Sequence, residues 1–183
     1  MGNYLMAYLP TPIKSVQSGT VVINPASGFT IGSTTISAVD LSASVLMHIG
    51  TSFTLGGPGI PSSAAFAYVV FDSNTQISGH RVYGGGEMFV GFTVIEFIKG
   101  FVKSLQRGII TTSGASATYR LSPTVNVAKS IVFHAGNTND DLTSGSGDRW
   151  VTRLEITNSS TLTCYNGTLY NTQNTSWTVI EFK

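Results

Sequence analysis

Charge is what this chain most lacks. Asp, Glu, Lys and Arg make up 10% of its 183 residues, against roughly 25% in an ordinary soluble domain. The net charge is +1, with no run of either sign. Nucleic acid is therefore not an expected partner, because binding a phosphate backbone needs clustered Lys and Arg to displace counterions. The lone cysteine, Cys164, excludes an intrachain disulfide framework and a cysteine-rich zinc site, and is expected to pack as a small apolar side chain. No apolar run approaches the roughly 20 residues of a membrane span. Residues 1–10 carry no basic start, apolar core or small-residue cleavage pattern, and Met6 stands where a myristoylation signal wants Ser or Thr. These absences predict a chain made in the cytoplasm that stays soluble or joins an assembly there.

Catalytic signatures are missing too. There is no phosphate loop, dinucleotide fingerprint, Gly-x-Ser-x-Gly elbow or His-Glu-x-x-His pair, so no enzyme activity and no cofactor or metal is expected. Apolar residues stand at 42%, and Ser, Thr, Asn and Gly fill the place that charge leaves. A neutral hydroxyl or amide is cheaper to desolvate than an ion, which suits extended contacts between subunits. The sequons at Asn158, Asn166 and Asn174 are read as products of this polar composition.

What the chain does have is repetition. Ile13-Lys14-Ser15-Val16-Gln17-Ser18-Gly19 returns as Val102-Lys103-Ser104-Leu105-Gln106-Arg107-Gly108, and Phe92-Thr93-Val94-Ile95-Glu96-Phe97 returns as Trp177-Thr178-Val179-Ile180-Glu181-Phe182. Between them, residues 39–50 align without a gap against residues 125–136, and residues 65–81 against 150–166, where Val69, Phe71 and Ile77 meet Leu154, Ile156 and Leu162. Matches in one order through both halves predict an internal duplication. The expected organisation is an extended arm over 1–12, held out of helix by Pro10 and Pro12, then one domain over 13–98 and a second over 99–183.

Each half reads as strands. Runs rich in β-branched and aromatic residues at 13–23, 34–39, 44–49, 65–71, 76–83 and 89–97 are parted by Gly, Pro, Asn and Ser clusters. The fold predicted is all-β, two tandem antiparallel six-stranded β-sandwich domains. Val16, Val21 and Ile23 are the expected core positions of the first strand and Gly19 an expected bend or bulge. The stretch 97–105 reads as a tight linker.

Some residues could carry function. His48 and His134 recur at matched positions, but each half supplies only one while a metal site needs three or four ligands, so both are read as hydrogen-bonded structural histidines. Glu96 and Glu181 also recur; each stands alone where glycoside hydrolysis needs two close carboxylates, and both are assigned to a surface or subunit-interface ion pair. Aromatic faces beside planar polar groups suit sugars, which makes His80, Arg81 and Tyr83 one candidate binding cluster and Asp148, Arg149, Trp150 and Tyr165 another.

The Lys-Ser-hydrophobe-Gln-x-Gly opening, the Val-x-x-Ala-Lys-Ser-hydrophobe middle, Arg-Leu-Glu-Ile-Thr-Asn and the closing Thr-Val-Ile-Glu-Phe resemble a family of small proteins of tailed bacteriophages and prophages. Residues 103–108, 125–131, 153–158 and 178–182 carry every element; the first half lacks the lysine, with Ser42-Ala43-Ser44, and has Phe71-Asp72 for the Ile-Thr pair. The order of an opening Gln-x-Gly strand and a closing aromatic strand is also similar to the H-type lectin domain, a six-stranded sandwich that assembles as trimers, although the sugar-binding residues of those lectins do not map clearly onto this chain. The resemblance implies a non-enzymatic virion protein, assembled in the bacterial cytoplasm, with other virion proteins and a homotrimer as partners. A tail or fibre adhesion module that binds a host glycan is the first reading, and capsid decoration the alternative. A glycan-processing enzyme comes last.

Overall fold

The computed structural model describes residues 11–24, 30–54, 65–82, 86–139, 151–166 and 172–183. Residues 1–10 of the expected arm, and with them Pro10, lie outside the described residues. The described chain is all-β: β1 (Ile13–Ile23), β2 (Ile31–Thr35), β3 (Ser44–Phe53), β4 (Tyr68–Ser73), β5 (Gln76–His80), β6 (Met88–Phe97), β7 (Val102–Thr112), β8 (Ser116–Arg120), β9 (Ser130–Asn139), β10 (Thr152–Asn158), β11 (Thr161–Asn166) and β12 (Gln173–Phe182). Every ladder is antiparallel. No helix among the described residues is long and apolar enough to cross a membrane.

The strands form a three-stranded sheet β1-β6-β3, a three-stranded sheet β10-β11-β8, and a six-stranded sheet β2-β5-β4-β9-β12-β7. A single pairing, Tyr68 with Gly136, joins β4 to β9 in the middle of the last sheet. Gly136 has φ of +95°, and a Cβ there would meet the Ala67 carbonyl oxygen at 2.3 Å, so only glycine admits this close approach.

Alternation along the strands makes three cores. Val21, Ile23, Leu46, Val69, Ile77, Met88, Val90, Phe92 and Val94 form the first, which also takes in Ala135 from β9. The second gathers Ile110, Leu121, Val125, Leu162, Cys164, Trp177 and Val179. Cys164 is buried there as its isolation in the sequence predicts. The third joins Ala43, Val45 and Phe97 to Val102 and Ile180, with Leu105 and Phe133 packed against it, and so spans both halves of the chain. Residues 97–105 turn through one short 3-10 segment, Lys99–Phe101, between β6 and β7.

Three sequence expectations change. Val16 is exposed while Val21 and Ile23 are buried: its parity along β1 is opposite to theirs, so it belongs to the other face. Gly19 is not a bulge, since the β1/β6 register runs unbroken from Ser15 to Ile23 and shifts only between Ile13 and Ser15. The strand expected at 34–39 is β2, ending at Thr35. Beyond it Ile36 and Val39 bond to the carbonyls of Thr75 and Asn74, so their β-branched side chains fill the core from irregular backbone.

Candidate functional sites

Two carboxylates, one in each half of the chain, are held in the same manner. Glu96 Oε1 accepts from Lys14 Nζ at 2.8 Å and from the Asp40 N–H at 2.9 Å, and Oε2 accepts from Ser15 Oγ at 3.0 Å. Glu181 Oε1 accepts from Lys103 Nζ at 2.8 Å and the Asn126 N–H at 2.9 Å, and Oε2 from Ser104 Oγ at 3.1 Å. Consecutive residues of a regular strand point to opposite faces, so Lys14 and Ser15 can grip one carboxylate only because the ladder shifts there; β7 shifts at the matching place. Both glutamates are almost fully buried, 3% and 1% exposed. Burial pushes Glu96 up, but Lys14, the Asp40 amide and Ser15 outweigh it and hold the carboxyl below its usual value. The Lys103 hydrogen bond does the same for Glu181 against a smaller opposing effect of burial. Each carboxylate forms its ion pair within its own half, with the lysine outside and the carboxylate inside, where the sequence reading expects a surface or subunit-interface pair.

The rest of the recurring opening motif is also accounted for. Gln17 donates to the Ser37 carbonyl and accepts from the Ser37 N–H, and Gln106 does the same with Pro123 and Ser122. Gly19 and Gly108 make room for the rings of Phe92 and Trp177 across the strand pair. Lys and Ser thus tie the opening strand to the closing strand beside it, Gln ties it to the irregular segment that follows the next strand, and Gly makes room for a ring. This leaves no free nucleophile or base in the motif.

Of the first binding cluster, His80 stacks on Tyr68 with ring centroids 4.9 Å apart. Ser78 Oγ donates to Asp72 at 2.8 Å and lies 3.0 Å from His80 Nε2. Serine, not histidine, stands in the middle of this chain; with its proton given to Asp72, Ser78 can only accept from His80, the reverse of what a general base requires. Burial lowers the pKa of His80 while Asp72 opposes it. Arg81 is buried and donates through Nη2 to the Gly86 carbonyl at 3.0 Å. Tyr83 lies outside the described residues. Of the second cluster, Asp148, Arg149 and Trp150 lie outside them as well. Tyr165 lies under the Arg153 guanidinium at 4.2 Å, and Arg153 pairs with Glu155 at 2.8 Å. A polar hollow of about 350 Å³ lies on the neighbouring strand, lined by Thr118, Tyr119, Arg120, Ser160 and Thr161.

One convergence is invisible in the sequence. His48 and His134, at matched positions of β3 and β9, line a single cavity of about 410 Å³ with Thr51, Phe66 and Asn137. His134 Nδ1 accepts from the Gly136 N–H at 3.0 Å, so its proton sits on Nε2 and is given to Thr152 Oγ1 at 2.9 Å, which continues to Thr175 Oγ1. Burial and then the charge of a protonated His48 lower the His134 pKa to about 4. Burial also lowers that of His48, whose Nε2 has no hydrogen-bond partner among the described residues. Among the described residues no three His, Cys, Asp or Glu side chains gather as metal ligands.

The halves meet at a second cavity, of about 290 Å³, lined by Leu46, Val69, Phe71, Arg107, Ile109 and Ser176 among others. Arg107 Nη2 donates to the carbonyls of Leu41 and, at 3.1 Å, Ser44, and its guanidinium lies 4.9 Å from the centre of the Phe71 ring. Ser176 Oγ donates to the Val69 carbonyl at 2.9 Å. No family model, curated protein or solved structure matches the chain.

Proposed function

We propose that the chain is a non-enzymatic structural subunit of a bacteriophage virion, built from two fused copies of one β-sandwich and serving attachment through its surface. Support for the duplication comes from strand order. Sheet order β1-β6-β3 in the first half has its counterpart in β7-β12-β9, and β2-β5-β4 has its counterpart in β8-β11-β10. The single observation that carries the structural reading is the paired clamp, Lys14, Ser15 and the Asp40 amide on Glu96 and Lys103, Ser104 and the Asn126 amide on Glu181. The recurring chemistry-bearing residues are engaged in tying neighbouring strands and the segments beside them together, which favours a scaffold over a catalyst.

The surface suits adhesion by many weak contacts. The outer face of β8, β10 and β11 presents Tyr165 under Arg153, Glu155, Arg120 and a row of Ser and Thr side chains, the neutral and planar groups that recognise sugars. Repeated over an oligomer, such a site gains by avidity what each contact lacks.

The test is mass-spectrometric quantification in purified particles together with adsorption blocking by antibodies. A few copies per particle and blocked adsorption are expected of a tail or fibre module. Hundreds of copies and no blocking would transfer the protein to capsid decoration, and absence from particles would overturn the virion reading altogether.

A further inference from the structure

Apart from His48 with His134 and Phe97 with Phe182, which meet their own matches, the contact between the two halves is made by different positions of the repeated unit on each side. The first half contributes Leu41, Ser44 and Val45 around the start of β3 and Ala67, Tyr68, Val69 and Phe71 around β4. The second contributes Val102, Leu105 and Arg107 of β7, Ala135 and Gly136 of β9, and Ser176 of β12. A contact of this kind is head-to-tail. It leaves one used and one unused face on each copy.

The unused faces carry the same apolar positions, now in the open. Val45 is 0% exposed in the seam, while Ile131, its match in the second half, is 50% exposed. Ala135 is 1% exposed, while its match Ile49 is 59% exposed. Val102 is buried and Leu105 half-buried, whereas their matches Ile13 and Val16 are exposed. Val127 and Val151, the matches of Leu41 and Phe66, are exposed as well. Half of the twelve exposed large apolar side chains among the described residues therefore occupy positions that the seam covers. Backbone tells the same story: Gly136 is filled by the chain at Ala67 and Tyr68, whereas its match Gly50, also at positive φ, has nothing within 4 Å of a Cβ.

We infer that a second copy of this chain covers these faces, repeating the internal seam between molecules. The face with Val127, Ile131 and Val151 of one chain packs on the face with Ile13, Val16 and Ile49 of the next, and the succession closes into a ring. This inference rests on the duplication proposed above. Two differences make the junction between chains weaker than the seam within them: Ser18 stands where Arg107 grips the Leu41 and Ser44 carbonyls, and Lys129 stands where Ala43 is buried. A lysine stem can lie along apolar surface with its ammonium in water, but it packs less closely than alanine.

Native mass spectrometry of the full chain over a range of concentrations tests this. The wild type is expected at a fixed multiple of 19.4 kDa. Val16→Asp and Ile131→Asp, each at an exposed position and each checked for an unchanged melting temperature, are expected to drop it to one chain. An equimolar mixture of the two variants retains one good face of each kind and is expected to stop at a 1:1 dimer. Should either variant unfold, Val16→Cys and Ile131→Cys chains mixed with a bismaleimide replace them, with 16–131 links expected. A wild type that stays at 19.4 kDa, a variant mixture that stays monomeric, or links of the 16–16 kind would each overturn the inference. Self-association without presence in particles would sink the virion reading alone, and presence in particles with a monomeric chain would sink only this one.

Discussion

Gly19 lies beneath the ring of Phe92, so that a Cβ at position 19 would come within 2.8 Å of the ring's Cζ. The ring is itself buried in the first core and has little room to retreat. Gly19→Ala is expected to lower stability by about 1–3 kcal/mol, the usual range for overpacking. Gly108→Ala should cost less, because the nearest atom of Trp177 would be 3.1 Å away. Urea unfolding of both variants checks the order; equal losses would contradict it.

Glu96 and Glu181 have carboxyls held below the usual range in the folded protein. The unfolded chain takes up their protons first, so their contribution is complete above the ordinary glutamate value of 4.5 and is lost as pH falls through the lower folded values. Glu96→Gln or Glu181→Gln is expected to cost about 2 kcal/mol at pH 7 through the weakened charged hydrogen bonds. Each should flatten the acid limb of a plot of unfolding free energy against pH.

His134 acts in a higher window. Its pKa falls from 6.5 to about 4 on folding, so protons favour the unfolded chain between those values. Stability is expected to decline by on the order of 3 kcal/mol from pH 6.5 to pH 4 on this account. His134→Gln should remove the slope in that window and leave the glutamate limb, and an NMR titration should place the His134 ring near pH 4.

Arg107 ties the second half to the first through two carbonyls and a ring. Arg107→Ala removes these and leaves the Leu41 and Ser44 carbonyls to find water, for an expected loss of about 2 kcal/mol. Hydrogen exchange should speed up at the seam, in β3, β4 and β7, before it does in the Trp177 core. Uniform acceleration would mean that Arg107 supports the fold as a whole.

The all-β class and most strand positions were legible because each strand carries its own evidence, a β-branched run with turn residues after it. Val21 and Ile23 could be named as core for that reason, while Val16 could not be separated from them without its parity. The Lys-Ser pair was visible as a motif, yet its purpose depended on a register shift that brings two successive side chains to one carboxylate. His48 and His134 were matched in sequence, but their approach across the seam depends on how the halves are placed, which local pattern does not encode. Tyr83 of the first cluster and Asp148, Arg149 and Trp150 of the second fall outside the described residues, and His80, Arg81 and Tyr165 are the members that the structure positions.

The third core, where Ala43, Val45 and Phe97 close on Val102 and Ile180, bears on how the molecule comes apart. Ala135 of β9 completes the first core as well, so each half keeps part of its interior in the keeping of the other. Heating should therefore melt both together, as one calorimetric peak with matching van't Hoff and calorimetric enthalpies, and a gene cut at Lys99 should yield two fragments that precipitate separately and regain solubility when coexpressed.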